Sequence, residues 1–151
     1  MRIEDAKTSY KWRNDKEVFK YTGNTYSNYI SYETELEWIK RVIKRKEDYR
    51  CAILVGDEYV GNIYLTDIDE EKAEYHIFIG NKNYWGMGVA KEASLLILKY
   101  AFDVLRLAQV ELSVNKKNVR AVRLYQSLGF APIAEQDEII QMVKNNRNNQ
   151  L

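Results

Sequence analysis

The chain of 151 residues has one cysteine and one histidine, and no apolar run long enough to span a bilayer. The lone thiol, Cys51, excludes an internal disulfide framework and suits a reducing compartment. Its place at the head of an apolar run reads as a buried thiol rather than a nucleophile. No signal peptide or spanning segment is visible, so a soluble, cytoplasmic protein without a membrane partner is expected. Charge of one sign is also missing: 23 basic residues stand against 22 acidic. No overall field therefore draws the protein to nucleic acid or to an anionic surface. Internal repeats and long linkers are absent, and no metal site is expected.

What is present is enough for one core. A hydrophobic content of 46% over this length supports a single domain over residues 1–144, with residues 145–151 read as a polar, disordered tail. Asp5 is a candidate helix cap, followed by Tyr10, Trp12, Phe19, Tyr21, Tyr26 and Tyr29, with a turn at Gly23-Asn24. Ser31 caps a helix with Glu33 and Glu35 in its first turn and Lys44, Arg45 and Lys46 in its last. Its apolar stripe is Leu36, Ile39 and Val42/Ile43. From Arg50 the period changes to strands: 50–55, 59–66 and 73–79, joined by short turns that make them antiparallel. A helix from Val89 to about Arg106 is apolar on most sides and should pack across a sheet. Residues 110–114 then form a strand parallel to 73–79 through a right-handed crossover. Asn118 caps the next helix, Gly129 ends it, and 130–134 with 139–143 make a closing hairpin.

The informative stretch is Gly80 to Lys91, GNKNYWGMGVAK. A strand that breaks into a glycine turn and enters a helix presents unpaired N–H groups at the positive helix end, which is an anion site. Gly86 and Gly88 would let the backbone approach a phosphate, with Met87, Val89 and Ala90 offering amides. A P-loop is excluded because no Gly-Lys-Ser/Thr is present, and Lys91 stands where a dinucleotide fold needs a small residue. A turn that uses glycine only for its geometry is the competing reading of this stretch taken alone.

Downstream, Asn118-Val-Arg-Ala121-Val-Arg-Leu-Tyr125-Gln-Ser-Leu-Gly129-Phe130 joins the glycine turn to form a pair of motifs. Together they resemble the GNAT superfamily of acyl-CoA-dependent N-acetyltransferases. Trp12-Arg-Asn-Asp15 with Glu17-Val18 is similar to the branch acting on ribosomal-protein N-termini, polyamines and nucleotide-linked amino sugars. The resemblance implies an α/β (α+β) single domain, with a mixed, mostly antiparallel sheet, a central splayed parallel strand pair and flanking helices. It also implies acetyl-CoA as cosubstrate. Its phosphates would be held by the turn, with Asn83, Trp85, Gly86, Met87, Gly88, Val89, Ala90, Lys91 and Asn118 as binding residues. Its pantetheine arm would lie along Ile77, Phe78 and Ile79.

The implied chemistry is direct transfer of acetyl to a primary amine on a small amine, an amino sugar or a protein N-terminus. A backbone N–H near Ile77 or Phe78 would face the oxyanion, and Tyr125 would protonate the leaving thiolate. Glu74 and His76 share a strand face, and either, or water, could take the amine's proton. The place where some relatives carry a glutamate holds Ser113, and Glu111 lies further back on the same side. Asn83 stands where many relatives have Arg or Gln. The family usually opens with a fuller strand, so that strand is either lacking here or a stub. A non-catalytic acyl-CoA-binding module is the alternative function, and a homodimer is an open assembly.

Overall fold

The computed structural model describes residues 1–21 and 28–147; the turn expected at Gly23-Asn24, and Tyr26, lie outside them. The elements are α1 (Ala6–Arg13), α2 (Tyr32–Val42), β1 (Tyr49–Val55), β2 (Glu58–Thr66), β3 (Lys72–Ile79), α3 (Val89–Lys99), β4 (Gln109–Asn115), α4 (Val119–Ser127), β5 (Ala131–Gln136) and β6 (Ile139–Asn145). The strands form one sheet in the order β1-β2-β3-β4-β6-β5. All neighbours are antiparallel except β3 and β4. The expected mixed sheet with a central parallel pair is present.

That pair is short. β3 meets β4 only at Lys72↔Gln109, Ala73↔Val110 and Glu74↔Glu111. Beyond Glu74, β3 stays paired to β2 as far as Ile79↔Gly61, and β4 stays paired to β6 as far as Asn115↔Ile139. The sheet therefore forks. Tyr75, the first residue past the last pair, is buried and sets its ring against Tyr125 (5.7 Å, 86°) and Phe130 (5.8 Å). Three large rings thus stand beside the opening, while Val110, Leu112, Ile97 and Leu98 fill the core between sheet and α3.

Several boundaries differ from expectation. Asp5 does not cap α1 with its side chain; its carboxylate reaches back to the Arg2 N–H (2.6 Å) and closes a 3₁₀ turn over Ile3–Asp5. No strand precedes β1 among the described residues, and the Met1 ammonium donates to the Arg50 carbonyl (3.1 Å) on the outer edge of β1. Ser31 does cap α2, accepting from the Thr34 N–H, but the helix ends at Val42, so Lys44, Arg45 and Lys46 lie beyond it. Glu35 is buried and Ile43 exposed, so the apolar stripe is interrupted by a carboxylate. The helix after the glycine turn loosens into a π turn over Tyr100–Val104, and its Leu95, Leu96 and Val104 face solvent. Arg106 takes a left-handed φ of 59° and stops it. Asn145 belongs to β6, and the buried Asn146 donates to the Leu107 carbonyl (3.1 Å). Both residues are therefore structural rather than tail.

The N-terminal segment is fixed to β3 by aromatic packing. Trp12 lies against Tyr59 and the edge of Phe78, and a Cβ on Gly80 would sit 1.9 Å from the Trp12 ring. Only glycine lets β3 pass under that indole. Gly80→Ala should therefore cost about 2 kcal/mol or more, because the ring must leave its packed position. Denaturant unfolding should show this as a lowered midpoint at unchanged slope.

Candidate active site

A cavity of about 1120 Å³ opens from the fork and runs between the β3–α3 turn, α4 and the segment after α1. Of the residues expected to serve the site, it is lined by Glu74, His76, Ile77, Phe78, Ile79, Trp85, Gly86, Gly88, Val89, Ala90, Lys91, Asn118 and Tyr125. Two do not line it with their side chains, although of Met87 only the backbone amide was expected to serve. Asn83 sits exposed in a 3₁₀ turn with its N–H on the Asn81 side chain, and Met87 points to solvent at 67% exposure. Lys82 and Asn83 turn outward before the chain comes back to the cavity at Tyr84 and Trp85.

The turn has the conformation its glycines permit. Gly86 and Gly88 have φ of 75° and 80°, and Gly88 is the N-cap of α3. Ser31 and Asn118 cap their helices with side chains, but α3 has no side-chain cap. Its first-turn N–H groups therefore face the cavity mouth at the positive end of the helix dipole. The Asn118 Oδ1 accepts from the Ala121 N–H (3.2 Å), which leaves the side-chain NH₂ as an open donor.

Ladder parity decides which groups of β3 face the fork. The Gly80 N–H donates to the Val60 carbonyl. Antiparallel pairs alternate between bonded and unbonded, so the Phe78 and His76 backbone groups are turned to β2. Those of Tyr75, Ile77 and Ile79 turn the other way. The Arg50 carbonyl, opposite Tyr64 and open to Met1 at the sheet edge, fits the same alternation. Of the two expected oxyanion donors, Ile77 thus has its N–H in the fork and Phe78 does not. Trp85 turns its indole N–H onto the Ile79 carbonyl (2.8 Å), and the Arg120 guanidinium lies over the Trp85 ring at 5.7 Å. Neither contact was expected from the sequence, although Arg120 lies within the Asn118 motif.

Two buried tyrosines meet at the fork with different fates. The Tyr75 hydroxyl is bonded to Ser94 (2.6 Å), which in turn donates to the Ala90 carbonyl. The Tyr125 hydroxyl makes no hydrogen bond to the described residues, although the residue is only 8% exposed. Burial pushes the Tyr125 phenol up to about 12. It is therefore protonated at neutral pH and has a donor to offer.

On the opposite face of β3, His76 Nε2 lies 3.0 Å from Thr66 Oγ1 and 3.8 Å from Glu74 Oε1. Its side chain is 45% accessible from the cleft, yet the surrounding protein desolvates it enough to hold its pKa below the ordinary 6.5. Arg50 lowers it further, and Glu74 opposes both. Glu111 is held by Lys72 and Gln109 away from the cavity, whereas Ser113 lines it. Cys51 is half-buried, and burial raises its thiol pKa, consistent with a packing role. The aromatic segment contributes Phe19 and Tyr21 to the wall, while Tyr10 packs on Tyr32 and Trp12 on Tyr59. Among the described residues no cluster of ligand-type side chains could hold a metal, and no helix is long and apolar enough to cross a membrane.

A forked sheet with an uncapped, glycine-opened helix at the fork defines an acyltransferase-type α/β domain. The profile of the acetyltransferase (GNAT) domain family matches residues 1–131. An uncharacterized N-acetyltransferase, p20 of Bacillus licheniformis, is 31% identical over 135 residues, covering 86% of this chain and 75% of that protein. Spermidine N(1)-acetyltransferase of Escherichia coli is 28% identical over 130 residues, covering 85% and 68%. Among solved structures, spermidine N-acetyltransferase from Vibrio cholerae in complex with CoA and spermine superposes with a TM-score of 0.85 at 21% identity, covering 97% of this chain and 92% of that one. Campylobacter jejuni PseH with acetyl coenzyme A gives 0.75 at 21% identity, covering 96% and 92%. The chain belongs to the GNAT acetyltransferase family and is an acetyl-CoA-dependent N-acetyltransferase.

Because Trp85 ties the glycine turn to the end of β3 by one hydrogen bond, Trp85→Phe should loosen the turn without unfolding the domain. Amide exchange at residues 86–90 should quicken, and stability should fall by about 1 kcal/mol.

Proposed function

We propose that Tyr125, Ile77 and the His76–Glu74 pair carry out direct acetyl transfer from acetyl-CoA to a primary amine in the cavity at the fork. The observation that carries this reading is the Tyr125 hydroxyl, protonated, buried and without a hydrogen-bond partner among the described residues. A phenol used only for packing would find a partner, as that of Tyr75 does with Ser94.

The remaining parts follow from position. The amide groups at the start of α3 and the Asn118 side-chain amide suit the phosphates and pantetheine arm of CoA, with Arg120 beside Gly86 supplying a cation. This cation takes the place of the Arg or Gln missing at Asn83. The fork side of β3 offers the Ile77 N–H to charge developing on the thioester carbonyl oxygen. The amine nitrogen attacks the carbonyl carbon, its proton passes to the His76–Glu74 side directly or through water, and the C–S bond breaks with Tyr125 donating to sulfur. Holding amine and thioester together supplies the entropic share of the acceleration. A cytoplasmic setting is supported by the single half-buried thiol, which needs no oxidising compartment.

Tyr125→Phe should lower kcat by about 10² to 10⁴-fold while leaving the Kd for CoA within about threefold, in thiol-release kinetics and calorimetry respectively. Equal losses in both would make Tyr125 a structural residue. For proton removal, the depressed His76 pKa means that the imidazole is already neutral at pH 7 and loses this state only on acidification. The acidic limb of kcat/KM should therefore lie below pH 6.5. His76→Gln should abolish that limb, and Glu74→Gln should displace it downward, because Glu74 raises the His76 pKa. A limb unmoved by either substitution would remove both from the mechanism.

A further inference from the structure

At the acceptor end of the cavity, away from the glycine turn, two arginines are interleaved with aromatic rings. The Arg13 guanidinium lies over Phe19 (5.6 Å) and over Trp38 (5.1 Å). The Arg50 guanidinium lies over Trp38 (5.5 Å) and over Tyr64 (4.6 Å). All five side chains line the cavity. Stacking fixes each guanidinium plane and leaves its edge N–H donors to make in-plane bonds.

The acids that balance these cations lie behind them. Glu35 is 2% exposed and stands 3.6 Å from Arg13 Nε; Asp48 is 1% exposed and takes Arg50 Nη2 at 2.8 Å. Arg13 itself is 22% exposed, and its guanidinium donates no hydrogen bond to the described residues. Glu35 Oε2, buried beside it, also has no hydrogen-bond partner among the described residues. A mostly buried guanidinium with open donors is a site that lacks its acceptor.

The sheet ties this wall to the reacting end. Arg50 is paired in register with Tyr64, and Tyr64 with His76, so the three stand in a row across β1, β2 and β3. Two strand spacings separate the first from the last, about 10 Å. Glu74, 43% exposed, lies one step further along β3 on the same face and suits a cationic amine.

We propose that the acceptor is amphoteric: a small primary amine that also bears a carboxylate or phosphate, its oxyanion held by Arg13 and Arg50 and its amine by the Glu74–His76 end. This rests on the transferase reading above and narrows it. A polyamine, the substrate in the names of two relatives, carries no oxyanion for the open guanidinium donors.

The test is thiol release with matched acceptors: γ-aminobutyrate against putrescine, and glucosamine phosphate against glucosamine. The acid-bearing member of at least one pair should have a kcat/KM about tenfold higher or more, and the pair that responds tells carboxylate from phosphate. The double variant Arg13→Gln/Glu35→Gln removes the guanidinium and its buried partner together, so no buried charge is left alone. It should lower kcat/KM for the acidic acceptor about 100-fold, through KM, and erase the preference. Should that variant unfold, Arg13→Lys keeps the charge but loses the stacked fork, and should lower it about tenfold. A preference for putrescine over γ-aminobutyrate, or an acid preference that survives both variants, overturns the inference and leaves the transferase standing. If acetyl-CoA does not bind at all, the transferase reading fails by itself. Calorimetric titration of γ-aminobutyrate and inorganic phosphate into the protein then still decides: affinity lost in the variant supports the oxyanion site, and no affinity in the parent protein overturns it.

Discussion

The structure depends on β3 changing partners at Glu74. It pairs with β4 only over residues 72–74, and from there to Ile79 with β2 alone. Unpaired backbone groups in a protein interior are costly, so a fork is tolerated only where it opens to solvent or to a ligand. The Tyr75, Tyr125 and Phe130 rings pack at its closed end. The open end becomes the cavity, and the glycine turn leaves β3 at that same end.

This single departure from regular pairing divides β3 into two working sides. Backbone groups of Tyr75, Ile77 and Ile79 belong to the fork; the side chains of Glu74, His76 and Phe78 belong to the opposite face, under the N-terminal segment. In the proposed mechanism, cofactor and acceptor approach this one strand from different directions without competing for the same atoms. Lys82, paired with both Asp15 and Glu17 at 2.9 Å, and Trp12 over Gly80 hold the N-terminal segment against the start of the glycine turn. The two halves of the cavity are thereby mechanically joined.

Local patterning made most of the elements legible. Alternation located β1 to β3 to within a residue or two, and Ser31, Asn118 and Gly129 marked helix ends at the positions observed. The start of the chain was misread because Asp5 closes a 3₁₀ turn by a backward bond, which looks in sequence like a forward cap. The end was misread because Asn145 and Asn146 are polar by composition yet serve the sheet and the π turn as hydrogen-bonding residues. Asn83 was placed at the site by adjacency to the glycines, but a 3₁₀ turn carries its side chain outward.

The sequence by itself determined the family and the forked fold, because those rest on contiguous motifs whose glycines and cap act at fixed local spacing. The tertiary structure alone decided which of two tyrosines has no hydrogen-bond partner among the described residues, which strand amide faces the fork and which arginines stack on the rings of the cavity wall. Each of these is settled by ladder parity, burial or stacking between residues far apart in the chain, from Arg13 and Trp38 to Arg50 and Tyr64. No local pattern encodes such a contact. Glu35, which the sequence shows only as an acid in the first turn of its helix, is buried opposite Arg13.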